Sequence, residues 1–339
     1  MGVDPAPRET KRVAIIGAGS WGTALAMVAA RNHHRVKLWA REPEVARELA
    51  RTRKNPFYLS EFELPDNVRA TTNLEDAIEG ADFVFLVVPS HAMREMVSRL
   101  RPFLKSEMIL VSAAKGVENN TLMRMEEVIA DTLEKSAPYV ALSGPSFARE
   151  VAEGDPTAIV AASSNREASE LIQQALSSNV FRVYTNTDVA GVELGGAVKN
   201  VVAIAAGVVR GLGFGTNAVA AIITRGLAEM TRLALAQGAR VETMAGLAGL
   251  GDLVLTCTGE LSRNRYVGVE LGRGRKLLDI LGEMREVAEG VKTTKSIFEL
   301  GRRTGIDMPI TASIHALLYE DKPAVEAANE LMGRPLKRE

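Results

Sequence analysis

A lysine lies within the most apolar segment of this chain of 339 residues. Lys199 sits in the stretch 192–209, whose other members are mostly valine, alanine, glycine and isoleucine. Burying an ammonium group is costly, so lysines are rare at such positions. Desolvation would lower its pKa toward the range in which an amine exchanges protons during catalysis. Lys199 is therefore a candidate general acid and base, unless its side chain reaches solvent from a half-buried helix.

Other proton donors follow predicted strands. If the protein reduces a carbonyl by hydride transfer, the developing alkoxide needs a proton donor, which is usually histidine or lysine. Lys115 comes directly after the apolar run Ile109–Ser112, and His91 after the run 83–88. Ligands of open parallel sheets bind at the C-terminal ends of the strands. We nevertheless interpret all four histidines as loop or surface residues and not as the proton donor. They are His33, His34, His91 and His315.

A carboxylate in the C-terminal half is a candidate partner for these lysines. Asp252 lies in the apolar stretch 247–257, after Gly249 and Gly251. A carboxylate among apolar residues is expected to have a partner such as a buried lysine.

Two polar segments are candidates for binding a substrate. Ser262, Arg263 and Asn264 present a hydroxyl, a guanidinium and an amide in succession, a set that could bind a phosphate. The alternative is a helix N-cap followed by surface residues. Gly144 and Ser146 belong to a Gly-Pro-Ser turn whose hydroxyl could line a polar pocket, although most such turns are only turns.

A glycine-rich segment near the N-terminus predicts dinucleotide binding. Gly17, Gly19 and Gly22 have the G-x-G-x-x-G spacing, after the apolar run 13–16 and before an alanine-rich helical pattern. The first glycine permits a tight turn, the second lets a pyrophosphate approach, and the third lets helix and strand pack closely. The helix N-terminus offers unpaired N–H groups to the phosphates. The alternative is an ordinary glycine turn.

The end of the second predicted strand bears on which dinucleotide is bound. NAD-specific domains usually place Asp or Glu about 20 residues after the fingerprint, to bind the ribose 2′-hydroxyl. Here Arg41 is closest to that place, with Glu42 beside it. An arginine can pair with a 2′-phosphate, so we expect NADP(H) to be accepted, while Glu42 keeps NAD(H) possible. The alternative for Arg41 is a solvated surface residue.

The elements that must position these residues fall into two groups. Up to about residue 186, short apolar runs alternate with helical patterns, which predicts a parallel sheet buried on both faces. The fold class is therefore α/β, with an N-terminal Rossmann-like doubly wound sheet. Thr72 and Glu75 have the spacing of a capping box, which predicts the start of the helix before Asp82.

The second group is helical. From residue 188 the chain is rich in glycine and alanine with almost no strand pattern. One helix is predicted over 217–236, ending at Gly238, and short helices continue to about Met332. The sequence thus predicts an NAD(P)-binding domain over 1–187 and a C-terminal all-helical, substrate-binding domain over 188–339.

Composition excludes several classes of protein. The 41 basic and 42 acidic residues give a net charge of −1, so nothing favours binding to nucleic acid or to a membrane surface. A single cysteine excludes an intrachain disulfide framework and a cysteine-rich zinc site, and no metal is expected. The apolar stretch 201–209 is about half the length that spans a bilayer, and no signal peptide is evident. We expect a cytoplasmic homodimer without membrane insertion.

Nine segments, over roughly residues 10 to 330, extend the pattern beyond the glycine fingerprint. They are GAGSWGTA at 17–24, AKGV at 114–117, LSGPSF at 142–147, ELGGAVKN at 193–200, GLGFG at 211–215, ITRGLAEM at 223–230, AGLGDL at 248–253, SRN at 262–264 and VAEG at 287–290. In these segments and in their order the chain resembles bacterial NAD(P)-dependent glycerol-3-phosphate dehydrogenases. Together they are far more specific than the glycine fingerprint alone.

The resemblance implies reversible hydride transfer between NAD(P)H and dihydroxyacetone phosphate, giving sn-glycerol 3-phosphate for phospholipid synthesis. It implies that Lys199 is the catalytic proton donor and acceptor. The implied substrate-binding residues are Lys115, Gly144, Ser146, Lys199, Asp252, Ser262, Arg263 and Asn264. The implied cofactor-binding residues, beside Gly17, Gly19 and Gly22, are Ser20, Trp21, Arg41, Lys115, Ala148, Arg263, Val287 and Glu289.

Two rival functions fit parts of the sequence. A dehydrogenase of hydroxy acids or sugar acids would also combine a Rossmann domain with a lysine on an interdomain helix, and the 262–264 cluster could bind its carboxylate. A non-catalytic redox sensor would keep the glycine loop but would not need Lys199, Lys115 and Asp252 together.

Overall fold

The N-terminal part of the protein is built on one sheet. The computed structural model describes residues 9–134, 137–284 and 288–335. Its eight strands are β1 (Arg12–Ile16), β2 (Arg35–Trp39), β3 (Val68–Thr71), β4 (Phe83–Leu86), β5 (Ile109–Ser112), β6 (Tyr139–Ser143), β7 (Thr157–Ala162) and β8 (Phe181–Asn186).

The strand order creates a crevice at the end of β1. The order is β3-β2-β1-β4-β5-β6-β7-β8, and the neighbours from β3 to β6 all pair in parallel. The chain leaves β1 toward β2 on one side and later returns to β4 on the other. Such a reversal of strand order leaves a ligand-binding crevice outside the C-terminal ends of the strands.

The expectation of a wholly parallel sheet is wrong for the last two strands. Strand β7 pairs antiparallel with β6 and parallel with β8. Between β6 and β7 the chain turns back through one short helix, Ala148–Glu153, instead of crossing over to restart in the same direction.

Helices cover both faces of the sheet. They are α1 (Ser20–Arg31), α2 (Pro43–Thr52), α3 (Leu74–Ile78), α4 (Met93–Leu100), α5 (Met125–Leu133), α6 (Ala148–Glu153) and α7 (Arg166–Leu176), with 3₁₀ turns at Ser90–Ala92 and Arg101–Phe103. Alternate residues of β1 point to opposite faces. Val13 and Ile15 pack in the apolar layer with α1, α2, α6 and α7, while Ala14 and Ile16 pack in the layer with α3, α4 and α5.

One local expectation in this part is wrong, and one residue is more buried than its loop position suggested. Asn73, not Thr72, caps α3, and its Oδ1 accepts hydrogen bonds from Glu75 N at 2.8 Å and Asp76 N at 3.2 Å. Asparagine is as good an N-cap as threonine, and here it stands one residue closer to the helix. His34 lies in the loop between α1 and β2, as expected, but it is buried there. Its Nδ1 accepts from Lys11 N at 3.1 Å and its Nε2 lies 2.9 Å from Ala175 O, so both ring nitrogens have partners.

All the regular elements among the described residues of the C-terminal part are helices. Its helices are α8 (Val189–Gly211), α9 (Thr216–Ala236), α10 (Val241–Ala245), α11 (Asp252–Thr258), α12 (Arg263–Gly272), α13 (Leu277–Glu283), α14 (Glu289–Thr304), α15 (Pro309–Tyr319) and α16 (Ala324–Met332), with a π-helical turn at Leu247–Gly251. The predicted helix over 217–236 is confirmed as α9. Gly238, at φ +81°, follows it in the left-handed region, as a terminating glycine should.

Helix α8 is the axis of this part. It is long and apolar enough to cross a bilayer, with a mean hydropathy of 1.6, but 100% of its apolar window is buried inside the protein. Helices α9, α11, α12, α14 and α15 pack around it. The hydrophobic effect therefore places α8 in the core.

Glycines allow α8 and α12 to cross at very short range. An added Cβ at Gly268 would lie 2.0 Å from Ile204 O, and one at Gly207 would lie 2.2 Å from Arg265 O. Gly211 and Gly272 repeat this relationship one turn further along each helix. Only residues without a side chain fit at these crossing points.

A buried carboxylate ties α8 to the sheet. Glu193 accepts hydrogen bonds from Tyr139 Oη at 2.6 Å, from Arg124 Nη1 at 2.8 Å and from Glu126 N at 2.9 Å. Burial raises the pKa of Glu193 to about 7, although the Arg124 charge and the donated hydrogen bonds oppose the shift. The N-terminal half of α8 is thereby held against β6 and α5.

Candidate active site

Lys199, Lys115 and Asp252 meet in one buried cluster. Lys199 Nζ donates to Asp252 Oδ1 at 2.6 Å, and Lys115 Nζ donates to Asp252 Oδ2 at 2.7 Å. The side chains of Lys199 and Asp252 are 7% and 1% exposed. Lys199 therefore does not reach solvent, and Asp252 has the lysine partner expected of a buried carboxylate.

Three separate elements bring this cluster together. Lys199 projects from the middle of α8, Lys115 follows the C-terminal end of β5, and Asp252 is the first residue of α11. The π-helical turn before Asp252 lies directly against α8, because an added Cβ at Gly195 would come 2.6 Å from Ala248 O. The close approach of this turn to α8 places Asp252 level with Lys199 along the helix.

Thr256 completes the shell around Lys199, although no motif in the sequence marks it as a site residue. Its Oγ1 accepts from Lys199 Nζ at 2.8 Å and donates to Asp252 O at 2.6 Å. The spacing of four residues from Asp252 places both side chains on one face of α11. That spacing is the signal that could have identified it.

The electrostatics of the cluster favour proton transfer. Burial lowers the pKa of Lys199 to about 8, the negative charge of Asp252 opposes the shift, and the positive charge of Lys115 adds to it. With both lysines protonated the cluster carries one net positive charge. Such a site stabilises an anionic oxygen that develops beside it.

The Gly-Pro-Ser turn lies beside Lys115. Lys115 Nζ donates to Gly144 O at 3.1 Å, and Ser146 Oγ donates to the same oxygen at 2.9 Å. Gly144 has φ +140°, and an added Cβ would lie 2.9 Å from the Cα of Ile159. The turn thus requires glycine and brings Ser146 to the lysine cluster. Phe147 then occupies the N-cap position of α6, and Ala148 begins the helix.

The 262–264 segment begins α12 near the same cluster. Ser262 caps the helix, accepting from Arg265 N at 3.2 Å, as the N-cap alternative expected. Arg263 is exposed. Asn264 Nδ2 donates to Asn200 Oδ1 at 2.9 Å, and Asn264 Oδ1 accepts from Gly290 N at 2.9 Å. One N–H and the oxygen of the Asn264 amide therefore join α12 with α8 and α14.

Asn200 and Glu289 link these elements to the edge of the sheet. Asn200 Nδ2 lies 3.4 Å from Lys115 O and 3.3 Å from Gly196 O, contacts that nothing in the sequence predicts. Glu289 begins α14, and its Oε1 accepts from Ser90 N at 3.3 Å. Burial raises the pKa of Glu289, although the charges of Arg263 and Lys115 oppose this. Val287 lies outside the described residues.

The glycine loop has the geometry that a bound pyrophosphate requires. Gly17 has φ +122°, and a Cβ there would lie 2.3 Å from Val87 O, while one at Gly22 would lie 1.8 Å from Gly17 O. In contrast, nothing lies within 4 Å of an added Cβ at Gly19. The loop is packed on its inner side and open on its outer side, where a ligand can approach.

Helix α1 adds a binding site for negative charge. Gly19 is its N-cap and supplies no side-chain hydrogen bond, and the first turn, with Ser20 and Trp21, holds no acidic residue. Backbone N–H groups at such a helix start bind phosphates. These residues therefore fit a dinucleotide at the crevice between β1 and β4.

Arg41 stands near this loop, two residues beyond β2, the strand that pairs with β1. Its side chain is 80% exposed and its Nη2 lies 2.7 Å from Glu42 Oε1. Its guanidinium is thus accessible at the edge of the crevice. A bound phosphate would either replace the Glu42 carboxylate or bind the guanidinium beside it.

The fold and this site define an NAD(P)-dependent oxidoreductase with a Rossmann-type sheet and a helical second part. The family models of the NAD-dependent glycerol-3-phosphate dehydrogenase N-terminus and C-terminus match residues 12–169 and 188–329. The chain therefore belongs to the NAD-dependent glycerol-3-phosphate dehydrogenase family.

Individual relatives support this membership. The chain is 55% identical over 332 residues to glycerol-3-phosphate dehydrogenase [NAD(P)+] of Geobacter sulfurreducens, covering 97% of this chain and 99% of the relative. The crystal structure of glycerol-3-phosphate dehydrogenase from Coxiella burnetii has a TM-score of 0.93 at 41% identity, covering 96% and 99% of the two chains. A D-mandelate dehydrogenase has a TM-score of 0.61 at 11% identity, covering 94% and 99%, which is a likeness of fold alone.

Proposed function

We propose that this protein catalyses reversible hydride transfer between NAD(P)H and dihydroxyacetone phosphate, giving sn-glycerol 3-phosphate, with Lys199 as the general acid and base. The observation that carries the proposal is the buried Lys199–Asp252–Lys115 cluster, because Lys115 follows β5 at the sheet edge that also holds the glycine loop. Relatives that carry the name glycerol-3-phosphate dehydrogenase [NAD(P)+] support the substrate and the cofactors.

Lys199 holds the proton that the reaction moves. Two of its three N–H bonds are directed at Asp252 and Thr256. We assign the third to the oxygen on C2 of the substrate, which takes the proton in reduction and returns it in oxidation. Asp252 and Thr256 prevent rotation of the amine, and the charge of Lys115 stabilises the developing alkoxide.

The glycine loop and its neighbours would hold the dinucleotide. Its reduced nicotinamide, when bound, supplies the hydride. Gly17, Gly19, Gly22, Ser20 and Trp21 would bind the pyrophosphate region, and Arg41 would pair with the 2′-phosphate of NADP(H). We assign the remaining contacts to Lys115, Ala148, Arg263, Val287 and Glu289.

The start of α12 would bind the substrate phosphate. Arg263 and the backbone N–H groups of the first helical turn supply positive charge there, and we assign the second N–H of the Asn264 amide to the same ligand. Gly144, Ser146 and Ser262 would line the remainder of the pocket. The substrate then lies between a nucleotide-binding domain over 1–187 and a substrate-binding domain over 188–339, the division that we propose.

We further assign the protein to the cytoplasm, as a homodimer that supplies sn-glycerol 3-phosphate for phospholipid synthesis. A phosphorylated triose and a free dinucleotide are both soluble metabolites, which suits this location. Closed two-fold dimers are the commonest assemblies of soluble enzymes. Light scattering on the eluting protein tests the dimer, and a mass of one chain would contradict it.

A direct assay tests the proposed activity. Oxidation of NADPH and of NADH is followed at the nicotinamide absorbance band after addition of dihydroxyacetone phosphate. We expect oxidation that depends on this substrate and is far slower with dihydroxyacetone, which lacks the phosphate, and with 2-keto acids. Binding of NADPH without turnover of dihydroxyacetone phosphate would contradict the proposal and would favour the acid substrates or the redox sensor.

A further inference from the structure

Asn55 lies behind the glycine loop, on a segment without a recognisable sequence motif. It is 0% exposed and comes shortly after α2. Its Nδ2 donates to Ala18 O at 2.9 Å and to Thr23 Oγ1 at 3.0 Å. Its Oδ1 accepts from Phe57 N at 3.1 Å and from Tyr58 N at 3.2 Å.

These four hydrogen bonds use the full capacity of the side chain. An asparagine amide has two N–H donors and two lone pairs. The orientation of the amide is determined by its neighbours, since Ala18 O can only accept and the two backbone N–H groups can only donate. Aspartate would have the same shape without a donor for Ala18 O, and serine would be too short to span the two sides.

The contact with Ala18 O determines where the next N–H group points. The C=O of Ala18 and the N–H of Gly19 belong to one peptide unit, and in a trans peptide these two bonds point in opposite directions. Because Asn55 holds the carbonyl inward, the N–H of Gly19 is directed outward. The space around an added Cβ at Gly19 is also free of other atoms within 4 Å, so a ligand can approach this peptide unit.

The neighbouring carbonyls are also turned away from that side. Gly19 O accepts from Thr23 N at 2.9 Å, and Gly17 O lies 1.8 Å from where a Cβ of Gly22 would be. Three successive carbonyl oxygens, which would repel a phosphate, are therefore kept inside the loop. Asn55 is the side chain that restrains the middle one.

We propose that Asn55 is a positioning residue for the dinucleotide: it orients the Ala18–Gly19 peptide so that the loop presents N–H groups, and not a carbonyl, to the pyrophosphate. It does not touch the ligand itself, because it is fully buried. The inference rests on the proposed role of the glycine loop, and it predicts a loss of binding without a loss of chemistry.

The test is the variant Asn55→Asp, with the dissociation constant of NADPH measured by nicotinamide fluorescence in the absence of substrate. Losing the donor to a buried carbonyl should weaken NADPH binding roughly ten- to hundredfold. At saturating NADPH the kcat, and the KM for dihydroxyacetone phosphate, should stay within about twofold, since the lysine cluster is untouched. Inhibition by ADP, which carries the pyrophosphate, should weaken in parallel, whereas inhibition by 2′-AMP should not.

Asn67→Asp is the matched control. Asn67 Nδ2 donates to two backbone carbonyls, Ala30 O at 2.8 Å and His34 O at 2.7 Å, at the far end of α1. The Asn67→Asp variant should have a lower melting temperature and an unchanged NADPH dissociation constant. If Asn55→Asp does not fold, Thr23→Val removes only the hydroxyl partner of Asn55 and should weaken NADPH binding to a smaller extent.

The outcomes separate this inference from the proposed function. Failure of the wild-type protein to bind NADPH would contradict the function itself. If the wild type binds NADPH, an unchanged dissociation constant in the Asn55 variant would overturn the positioning role. An equal weakening of NADPH binding by Asn67→Asp would also overturn it. So would an Asn55 variant that loses inhibition by 2′-AMP but keeps inhibition by ADP.

Discussion

Asp252 joins the two lysines of the site through its two oxygens, and its Oδ1 lies 2.6 Å from Lys199 Nζ while its Oδ2 lies 2.7 Å from Lys115 Nζ. The lysines come from different parts of the fold, one from α8 and one from the sheet edge. A single carboxylate therefore sets the distance between the proposed proton donor and the second positive charge.

Replacing Lys199 by methionine should abolish turnover and spare the fold. The remaining Lys115–Asp252 pair stays neutral overall, so no unpaired charge is left buried. We expect kcat to fall by about 10³-fold or more, since a positioned general acid contributes roughly 10²–10⁴-fold. The NADPH dissociation constant should change by less than about twofold. Lys295→Met, at an exposed position of α14, is the control, and normal turnover by Lys199→Met would disprove the role.

The pH dependence should report the lowered pKa of Lys199. Reduction needs the protonated amine, and burial lowers its pKa to about 8. The kcat/KM for dihydroxyacetone phosphate should therefore be level at low pH and fall as the pH rises through about 8. Oxidation of sn-glycerol 3-phosphate needs the neutral amine, so its kcat/KM should rise through the same value. Parallel profiles in the two directions would contradict this assignment.

Asp252→Asn should move that profile as well as lower the rate. The carboxylate raises the pKa of Lys199 against the effect of burial, so its removal should shift the descending limb to lower pH. It also leaves the buried Lys199 and the partly exposed Lys115 without a counter-charge. Removing one partner of a buried pair costs about 3–5 kcal/mol of stability. Thr256→Val keeps the charge and removes one hydrogen bond, so it should lower kcat without a comparable shift. An unshifted pH profile in Asp252→Asn would show that the Asp252 charge does not set the pKa of Lys199.

Arg41→Glu should discriminate between the two dinucleotides. A carboxylate would repel the 2′-phosphate and could bind the 2′-hydroxyl. We expect the KM for NADPH to rise about tenfold or more and the KM for NADH to change by less than about twofold. Arg51→Glu is the control, because Arg51 is similarly exposed and its Nη2 lies 2.9 Å from Glu48 Oε2. Equal changes for both dinucleotides would mean that Arg41 does not contact the 2′-phosphate.

Gly268→Ala should destabilise the helical part through its crossing with α8. The new methyl would lie 2.0 Å from Ile204 O and 2.9 Å from the Cα of Gly207, so the helices must separate. Overpacking of this kind costs about 1–3 kcal/mol or more in the free energy of unfolding. Gly282→Ala, with nothing within 4 Å of its Cβ, should instead stabilise α13 by up to about 1 kcal/mol. Urea denaturation of both variants measures the difference, and equal midpoints would refute the close crossing.

Local patterns in the sequence were sufficient for several of these features. The glycine spacing at Gly17, Gly19 and Gly22 predicted both the turn and the open side of the loop, because those properties depend on backbone freedom at single positions. The helical period predicted α9 to within one residue of its start. The apolar stretch around Lys199 made a buried ammonium one of two interpretations, beside a side chain that reaches solvent. Such inferences need only the chemistry of a residue and its neighbours along the chain.

Other features depend on where distant segments meet. The reversed direction of β7 and β8, and the buried position of His34, follow from packing that no local pattern encodes. Asp252 was expected to have a partner, but that it binds Lys115 and Lys199 together results from α11 and β5 converging on α8. Thr256, Asn200 and Asn55 are polar residues of ordinary appearance in the sequence. They gain their roles only in the fold, since a hydrogen bond between residues 37 or 57 positions apart is determined by tertiary contacts and not by periodicity.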